Sequence, residues 1–187
     1  MSFCKEWLDK HLDALGDVIV RQIADYNFQV GLAAWIEQDF ATAFESFEIS
    51  AKSHPIAQYH MGCMLFSGRG TSKDYVRALN FFKASAICVP QSIYSLASIY
   101  REGAIGIPQD KQEALQWLNI IATEDQETAA IERDALEKTL SDEQILSAQQ
   151  SAQEWLKQYP LWNQWIIWTT AVDSDLSWKN TDNSRGL

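Results

Sequence analysis

The sequence lacks the residue patterns that mark most enzymes and metalloproteins. Its three cysteines form no CxxC pair, and its histidines, His11, His54 and His60, show neither HxxH nor HExxH spacing. The GxSxG motif is also absent. Zinc sites and serine hydrolases depend on those spacings. We therefore expect no catalytic residues, no metal site and no cofactor, with His60 on a helix surface and Cys63 as a small buried thiol.

Basic clusters and long apolar runs are also missing. The 15 Lys and Arg residues face 25 Asp and Glu, so the net charge is −10, and no Lys/Arg cluster appears. Nucleic acids and anionic membranes are therefore not expected partners. No apolar run approaches the ~18 residues of a membrane-spanning helix. The N-terminal segment lacks the apolar core of a signal peptide, so we expect a cytoplasmic location and free thiols.

A repeat of 35 to 36 residues runs through the middle of the chain. Its members are DFATAFESFEISA (39–51), DYVRALNFFKASA (74–86) and DKQEALQWLNIIA (110–122). Each begins with Asp and ends with Ala, and the Asp residues lie 35 and 36 positions apart. A helical hairpin of this length cannot bury its apolar face alone, so such units stack on one another around a continuous core.

Each repeat is predicted to consist of two helices joined by a loop. In the second helix the apolar residues recur at i, i+3 and i+4, which places them on one face. Asp74 and Asp110 are predicted N-caps, because a short carboxylate accepts hydrogen bonds from the free N–H groups of a helix start. Gly68 and Gly103 fall where a left-handed residue commonly ends a helix. Predicted capping boxes are Asp110 with Glu113 and Ser141 with Gln144.

The loop Gly-Arg-Gly at 68–70 allows two interpretations. A Gly-x-Gly loop can cradle a phosphate, but that motif needs a preceding strand. Here a helical segment precedes the loop, and no GK[ST] follows it. We therefore favour a connection between two helices over a phosphate site.

These residues carry a family resemblance. The stretch MGCMLFSGRGTSKDYVRALNFFKASA resembles the Sel-like repeat, a relative of the tetratricopeptide repeat with a longer glycine-containing loop. The resemblance covers 56–90 and 91–125, is partial for 24–53, and extends to LSDEQILSAQQSAQEWL, which resembles the helix that often closes such arrays. Some family members are secreted and carry paired cysteines within each repeat. The spacing of Cys63 and Cys88 does not reproduce that pairing, so no disulfide is expected.

The resemblance implies an all-α fold, a right-handed α-solenoid of helix-turn-helix repeats with N- and C-terminal capping helices. We expect one repeat domain over residues 1–170, followed by a polar tail. Its predicted parts are a cap at 1–23, repeats at about 24–55, 56–90 and 91–125, cap helices within 126–170, and the tail at 171–187. The predicted cap helices include 3–15, 17–37, 126–139 and 142–158.

In such a solenoid the first helix of each pair lines a concave groove. Matching the repeats places ten residues in that groove: Phe28, Leu32, Trp35, Ile36, Tyr59, Phe66, Tyr94, Ser98, Arg101 and Glu102. Three pairs share i, i+7 spacing, which is two turns on one helix face: Phe28/Trp35, Tyr59/Phe66 and Tyr94/Arg101. Aromatic residues and arginine most often anchor interfaces. The alternative is that the aromatic residues are core, and that Arg101 and Glu102 form only a solvated ion pair.

A tryptophan-rich segment follows the predicted repeats. In PLWNQWIIWTT (160–170), Trp162, Trp165 and Trp168 are too many apolar rings for a solvated surface. The segment is predicted to be an amphipathic helix covering the end of the solenoid, or else a surface for a partner or a second copy. A further hypothesis is that Trp178 holds the polar tail against the groove.

Together these features favour a non-enzymatic module that binds a partner protein or peptide in the groove, as an adaptor or regulator. An immunity-type inhibitor that neutralises a cognate toxin is the alternative, drawn from the small size, the acidity and the tryptophan-rich segment. An acidic protein is steered towards a basic partner. A third hypothesis is a structural homo-oligomer formed through the tryptophan-rich segment. The oligomeric state stays open.

Overall fold

The computed structural model describes residues 2–122 and 127–159. Eight helices account for the regular structure of this part of the chain, so the predicted all-α class is confirmed. They are α1 Ser2–Ile36, α2 Phe40–Ser50, α3 Pro55–Ser67, α4 Tyr75–Ser85, α5 Pro90–Glu102, α6 Lys111–Ile121, α7 Glu127–Glu137 and α8 Asp142–Gln158. The tryptophan-rich segment, with Trp162, Trp165 and Trp168, and the tail with Trp178 lie outside the described residues.

Helix α1 corrects the prediction of two helices near 3–15 and 17–37. It is one continuous helix of 35 residues, and Gly16 lies in its interior. A single glycine costs a helix only about 1 kcal/mol relative to alanine, and no proline or second glycine is next to it. The helix therefore continues through Gly16.

The aspartates of the sequence repeat lie at the start of the second helix of each repeat. Each side chain accepts a hydrogen bond from a backbone N–H of the first turn, which satisfies a donor that has no partner within the helix. The predicted N-caps Asp74 and Asp110 are confirmed, and Asp39 caps α2 in the same way. The donors are Thr42 N to Asp39 (3.2 Å), Arg77 N to Asp74 (2.9 Å) and Glu113 N to Asp110 (2.9 Å).

The glycines that follow the first helix of a repeat have the positive φ angles that were predicted. Gly68 follows α3 with φ 76° and ψ 26°, a left-handed conformation, and its N–H donates to the carbonyl of Met64. Gly103 follows α5 with φ 75°, but its ψ of 166° turns the chain into the next loop. The positive φ at both places explains why each helix ends at a residue without a Cβ.

The chain forms two compact units that divide between Lys73 and Asp74. In the first unit, α1 packs against α2, and α2 packs against α3. In the second, α6 packs against α5, α7 and α8. Helix α6 can contact three neighbours because apolar residues occupy most of its circumference. Its buried side chains are Ala114, Leu115, Trp117, Leu118, Ile120 and Ile121.

The last two described helices agree with the predicted C-terminal cap. Ser141 begins α8 with a capping box, as predicted: its hydroxyl accepts from Gln144 N, and the Gln144 side chain accepts from Ser141 N. Trp155 of α8 meets Trp117 of α6 edge to face, with ring centroids 6.1 Å apart. The predicted boundaries of one domain, its repeats and its tail stay a prediction.

Candidate functional site

Two predicted groove residues of the first unit are core residues. Phe28 on α1 is buried and stacks on His54, with ring centroids 4.2 Å apart. Tyr59 on α3 is buried beside His60. The prediction that Phe28 and Tyr59 line a binding surface is therefore wrong, and the alternative that aromatic residues at helical spacing form the core holds for them. Their burial leaves little ring area for a partner.

At the end of α1, the predicted groove residue Trp35 is more accessible than Phe28 and Tyr59. Trp35 is half-buried and meets Phe40 edge to face, with centroids 5.2 Å apart. The Arg69 guanidinium lies 5.5 Å from the centroid of each ring. Such cation–π contacts contribute about 0.5–1 kcal/mol each at exposed sites. Next to this group Ile36 is 77% exposed, whereas Leu32 and Phe66 are half-buried.

The loop at 68–70 therefore supports the first unit. Arg69 covers Trp35 and Phe40, and Gly70 packs so closely on the backbone of Phe40 that an added Cβ would lie 2.0 Å from the Phe40 carbonyl oxygen. Both contacts hold the loop against α1 and α2. These interactions give the Gly-Arg-Gly pattern a structural role in joining the helices.

His60 corrects a second prediction, because it is a core residue and not a helix-surface residue. Only 4% of it is exposed. Its ring stacks on Phe47 at 4.8 Å with an interplanar angle of 9°, and the centroids of Phe28, Trp35 and Tyr59 lie within 6.2 Å. Burial, followed by the charge of His54, lowers the pKa of His60 to about 4. The imidazole is therefore neutral at neutral pH and acts as a flat ring in an aromatic core.

His54 has a different role at the start of α3. Its Nδ1 accepts a hydrogen bond from the N–H of Ala57 at 3.3 Å, so the ring caps the helix in its neutral form. Burial lowers its pKa, and the nearby charge of Asp25, 4.0 Å from Nε2, opposes that shift. Protonation of Nδ1 would remove this cap, because a protonated nitrogen cannot accept a hydrogen bond.

In the second unit the predicted residues of α5 meet around a glutamate of α7. The Tyr94 hydroxyl donates to Glu132, and Arg101 donates to the other Glu132 oxygen at 2.6 Å. Arg101 also donates to Glu102 at 3.0 Å. We call these four residues the Glu132 cluster. Ser98 lies between Tyr94 and Arg101 along α5 and is half-buried.

The surroundings in the Glu132 cluster raise the pKa of both Tyr94 and Arg101. Burial raises the pKa of Tyr94 to about 12, with further contributions from the hydrogen bond to Glu132 and its charge. For Arg101, burial alone would lower the pKa, but the hydrogen bond to Glu102 and the charges of both carboxylates raise it. Tyr94 therefore stays neutral and Arg101 stays charged near neutral pH.

Sequence reasoning identified three members of the Glu132 cluster and missed the fourth. The i, i+7 spacing of Tyr94 and Arg101 correctly placed them on one face of α5. Glu132 is one of several acidic residues in ETAAIERDALE, and no spacing marked it as their partner. The contact joins residues 31 and 38 positions apart, so it depends on how α7 packs. Arg101 does pair with Glu102, but it also crosses to another helix.

The described part of the chain contains no group of three or more His, Cys, Asp or Glu side chains that could hold a metal ion. Cys63 and Cys88 are half-buried thiols that are not part of a disulfide, so Cys63 is less enclosed than predicted. Burial raises the pKa of Cys88. Among residues 2–122 and 127–159, no helix is both long and apolar enough to cross a membrane.

Comparison with known proteins gives matches to the repeats. The Sel1 repeat model matches residues 55–87 and 90–125. These ranges contain α3 with α4 and α5 with α6, the helices that the sequence repeat predicted for its second and third members. Sel1 repeats generally form non-catalytic scaffolds for protein–protein interaction.

Similar proteins include one regulator and two solved structures. Chitin synthase regulatory factor 3 of Schizosaccharomyces pombe is 29% identical over 83 residues, which is 43% of this chain and 9% of that protein. A protective antigen of uropathogenic Escherichia coli with an SLR fold is 25% identical, with a TM-score of 0.66 over 79% of this chain and 32% of that one. A Sel1 repeat protein from Oxalobacter formigenes is 22% identical, with a TM-score of 0.52 over 63% of this chain and 96% of that one.

The chain spans only a small part of the regulator and about a third of the antigen. The structural matches confirm the predicted α-solenoid class, and the two matched repeat ranges confirm the resemblance given by the loop and cap residues. Residues 55–87 and 90–125 of this chain are thus two Sel1-like repeats.

Proposed function

We propose that this protein binds a partner protein or peptide through the exposed side of its first helices, and that it does so without catalysing a reaction. The Glu132 cluster on α5 and α7 is the proposed contact on the second unit. Trp35 and Ile36 at the end of α1 are the proposed contact on the first. The general role of Sel1 repeats in protein–protein interaction supports this assignment.

The position of Arg101 is the observation that carries the proposal. Its side chain is 33% exposed, and two carboxylates hold the guanidinium in place. A partner would therefore meet an arginine that has already lost much of its side-chain entropy, which reduces the free-energy cost of binding. Arginine and tyrosine are enriched among residues that dominate interface energies. The two carboxylates around one guanidinium leave the cluster with a negative charge, which suits a basic partner.

Arg101→Ala tests the assignment. The immobilised chain would first capture partners from native lysate, and mass spectrometry would identify them. We expect Arg101→Ala to weaken the affinity for the identified partner by at least tenfold, which corresponds to about 1.4 kcal/mol. The variant removes the guanidinium from the interface and releases Glu132. Affinity is measured with purified proteins by calorimetry.

Arg133→Ala is the matched control. Arg133 also belongs to the second unit, its side chain is 32% exposed, and it pairs with the neighbouring Asp134 at 2.7 Å. We expect its loss to change the affinity by less than twofold. Equal losses in both variants would mean that overall charge, and not the Glu132 cluster, determines binding. An unchanged affinity in a folded Arg101→Ala variant would reject the site.

An immunity-type inhibitor of a basic toxin is the second candidate. The net charge of −10 favours it, because opposite charge accelerates association and makes it depend on ionic strength. Association with such a toxin would slow at least tenfold between 50 and 500 mM salt, whereas association with an uncharged peptide would change little. The homo-oligomer formed through the tryptophan-rich segment remains a third prediction. The cytoplasmic location also remains a prediction.

A further inference from the structure

His54 connects the start of α3 to α1. Its Nδ1 accepts the hydrogen bond from the Ala57 N–H at 3.3 Å, so Nε2 carries the proton of the neutral ring. That nitrogen lies 4.0 Å from the carboxylate of Asp25 on α1. The ring also stacks on Phe28 of α1, with centroids 4.2 Å apart and an interplanar angle of 20°. One imidazole therefore caps α3 and covers a core ring of α1.

The Ala57 N–H depends on this cap, because water does not reach it. The N–H groups of a first helical turn have no acceptor within the helix, and Pro55 at the start of α3 has no N–H at all. Ala57 is 0% exposed. A buried N–H that loses its acceptor is strongly unfavourable. When His54 stops accepting, the first turn of α3 therefore has to open so that water can take its place.

Protonation of His54 converts Nδ1 from an acceptor into a donor. Two N–H groups would then face each other across the 3.3 Å that now separates the Ala57 nitrogen from Nδ1. The charged ring is also attracted to Asp25, whose side chain is 71% exposed. Both effects move the ring away from Ala57 and towards water. The ring then leaves the face of Phe28, which is only 6% exposed while the cap is in place.

Asp25 is the charged group that acts on His54 from α1. From α2, the Ser50 carbonyl accepts from the His54 backbone N–H at 3.0 Å, and the buried side chains of α2 are uncharged. On α3, burial lowers the pKa of His60 to about 4. Burial also lowers the pKa of His54, and the charge of Asp25 and a backbone hydrogen bond oppose that shift. The cap is therefore fully present above about pH 6.5 and is lost as the pH falls through the pKa of folded His54.

We infer that the first turn of α3 is a pH-sensitive switch, which neutral His54 holds closed over Phe28 and protonated His54 opens. The opening is confined to this turn, because buried apolar side chains hold the rest of the helix. Met61, Met64 and Leu65 are all 0% exposed. Aromatic rings are frequent anchors of protein contacts. Acid thus adds the Phe28 ring to the surface that the first unit presents.

Nuclear magnetic resonance of the full chain between pH 7.5 and pH 5.0 tests this switch without a variant. We expect the protection factor of the Ala57 amide, corrected for the intrinsic pH dependence of exchange, to fall at least threefold across this range. The nuclear Overhauser contact between the His54 and Phe28 rings should weaken with the same midpoint as the titration of His54. The Gln144 amide, which donates to the Ser141 hydroxyl, is the internal control and should change by less than twofold.

Two variants separate the cap from the electrostatic effect. His54→Asn keeps a preferred N-cap residue that binds no proton in this range, so its Ala57 protection factor should change by less than twofold. Asp25→Asn removes the carboxylate that favours the charged ring, so the midpoint of the His54 titration should move to lower pH. The Asp25 side chain is largely exposed, so this substitution leaves the packing of α1 intact.

Four results would overturn the inference. The first is a protonated His54 ring that keeps its contact with Phe28, and the second is an Ala57 protection factor that stays constant while His54 titrates. The third is a folded His54→Asn variant with the same pH dependence as the wild type. The fourth is a His54 ring that stays neutral down to pH 5.0, because the turn would then remain closed throughout the range.

Discussion

Gly70→Ala is expected to lower the free energy of unfolding of the first unit by at least about 2 kcal/mol. Gly70 has φ 71°, where a Cβ costs about 1–2 kcal/mol. The added methyl would also lie 2.0 Å from the carbonyl oxygen of Phe40 and 3.1 Å from the Met64 side chain. Met64 can move, but the backbone of Phe40 belongs to the first turn of α2. The loop must therefore detach from α2, or the helix must shift.

Urea denaturation followed by circular dichroism measures this loss, and Gly16→Ala is the control. Gly16 lies inside α1, and apart from its chain neighbours and the nearby backbone of α1 itself, no atom comes within 4 Å of a Cβ built there. The same substitution should therefore raise stability there by about 0.5–1 kcal/mol, since alanine is the better helix former. A loss below about 0.5 kcal/mol for Gly70→Ala would mean that the loop is not held against Phe40.

Acid is expected to destabilise the first unit through His60. Its pKa is about 4 in the folded protein, against about 6.5 when exposed. Between these values the unfolded chain binds more protons, so stability rises with pH across this window. The contribution is therefore complete above about pH 6.5 and is lost as the pH falls towards 4. A shift of this size corresponds to roughly 3 kcal/mol.

His60→Phe separates this effect from the titration of carboxylates. The replacement keeps a flat ring against Phe47 and cannot bind a proton. We expect the stability difference between wild type and variant to change by roughly 3 kcal/mol between pH 7.5 and pH 4. His54 and Asp25 are present in both proteins, so their own titration largely cancels. Urea denaturation at four pH values provides the measurement, and parallel pH profiles would contradict the role given to His60.

Local structure was predicted correctly where a residue affects backbone groups only a few positions away from it. Asp74, Asp110 and Ser141 cap helices where the sequence placed them, and Gly68 ends α3, because each effect involves only nearby backbone groups. The helix break predicted near Gly16 was wrong, because α1 is continuous there. A weak local preference for ending a helix did not outweigh continued hydrogen bonding along α1.

The prediction of the site was less complete, because helical spacing shows which residues share a face but not what covers that face. Phe28 and Trp35 share a face, yet Phe28 is buried under His54 while Trp35 remains half-buried. His60 looked like a polar surface residue, and it is instead stacked on Phe47 in the core. Tyr94 and Arg101 were correctly paired on α5, but Glu132 between them comes from another helix.

The sequence by itself determined the repeating helical hairpins, the caps that begin their second helices and the glycines that follow their first helices. These features depend on backbone hydrogen bonds and allowed φ angles over a few neighbouring residues. Tertiary packing alone decided that His60 would be a neutral core ring, that Gly70 would meet the backbone of Phe40, and that Glu132 would join Tyr94 to Arg101. Those contacts link residues 30 or more positions apart, or depend on rings from several helices. The burial of these side chains and the distances between them are set only when the helices pack together.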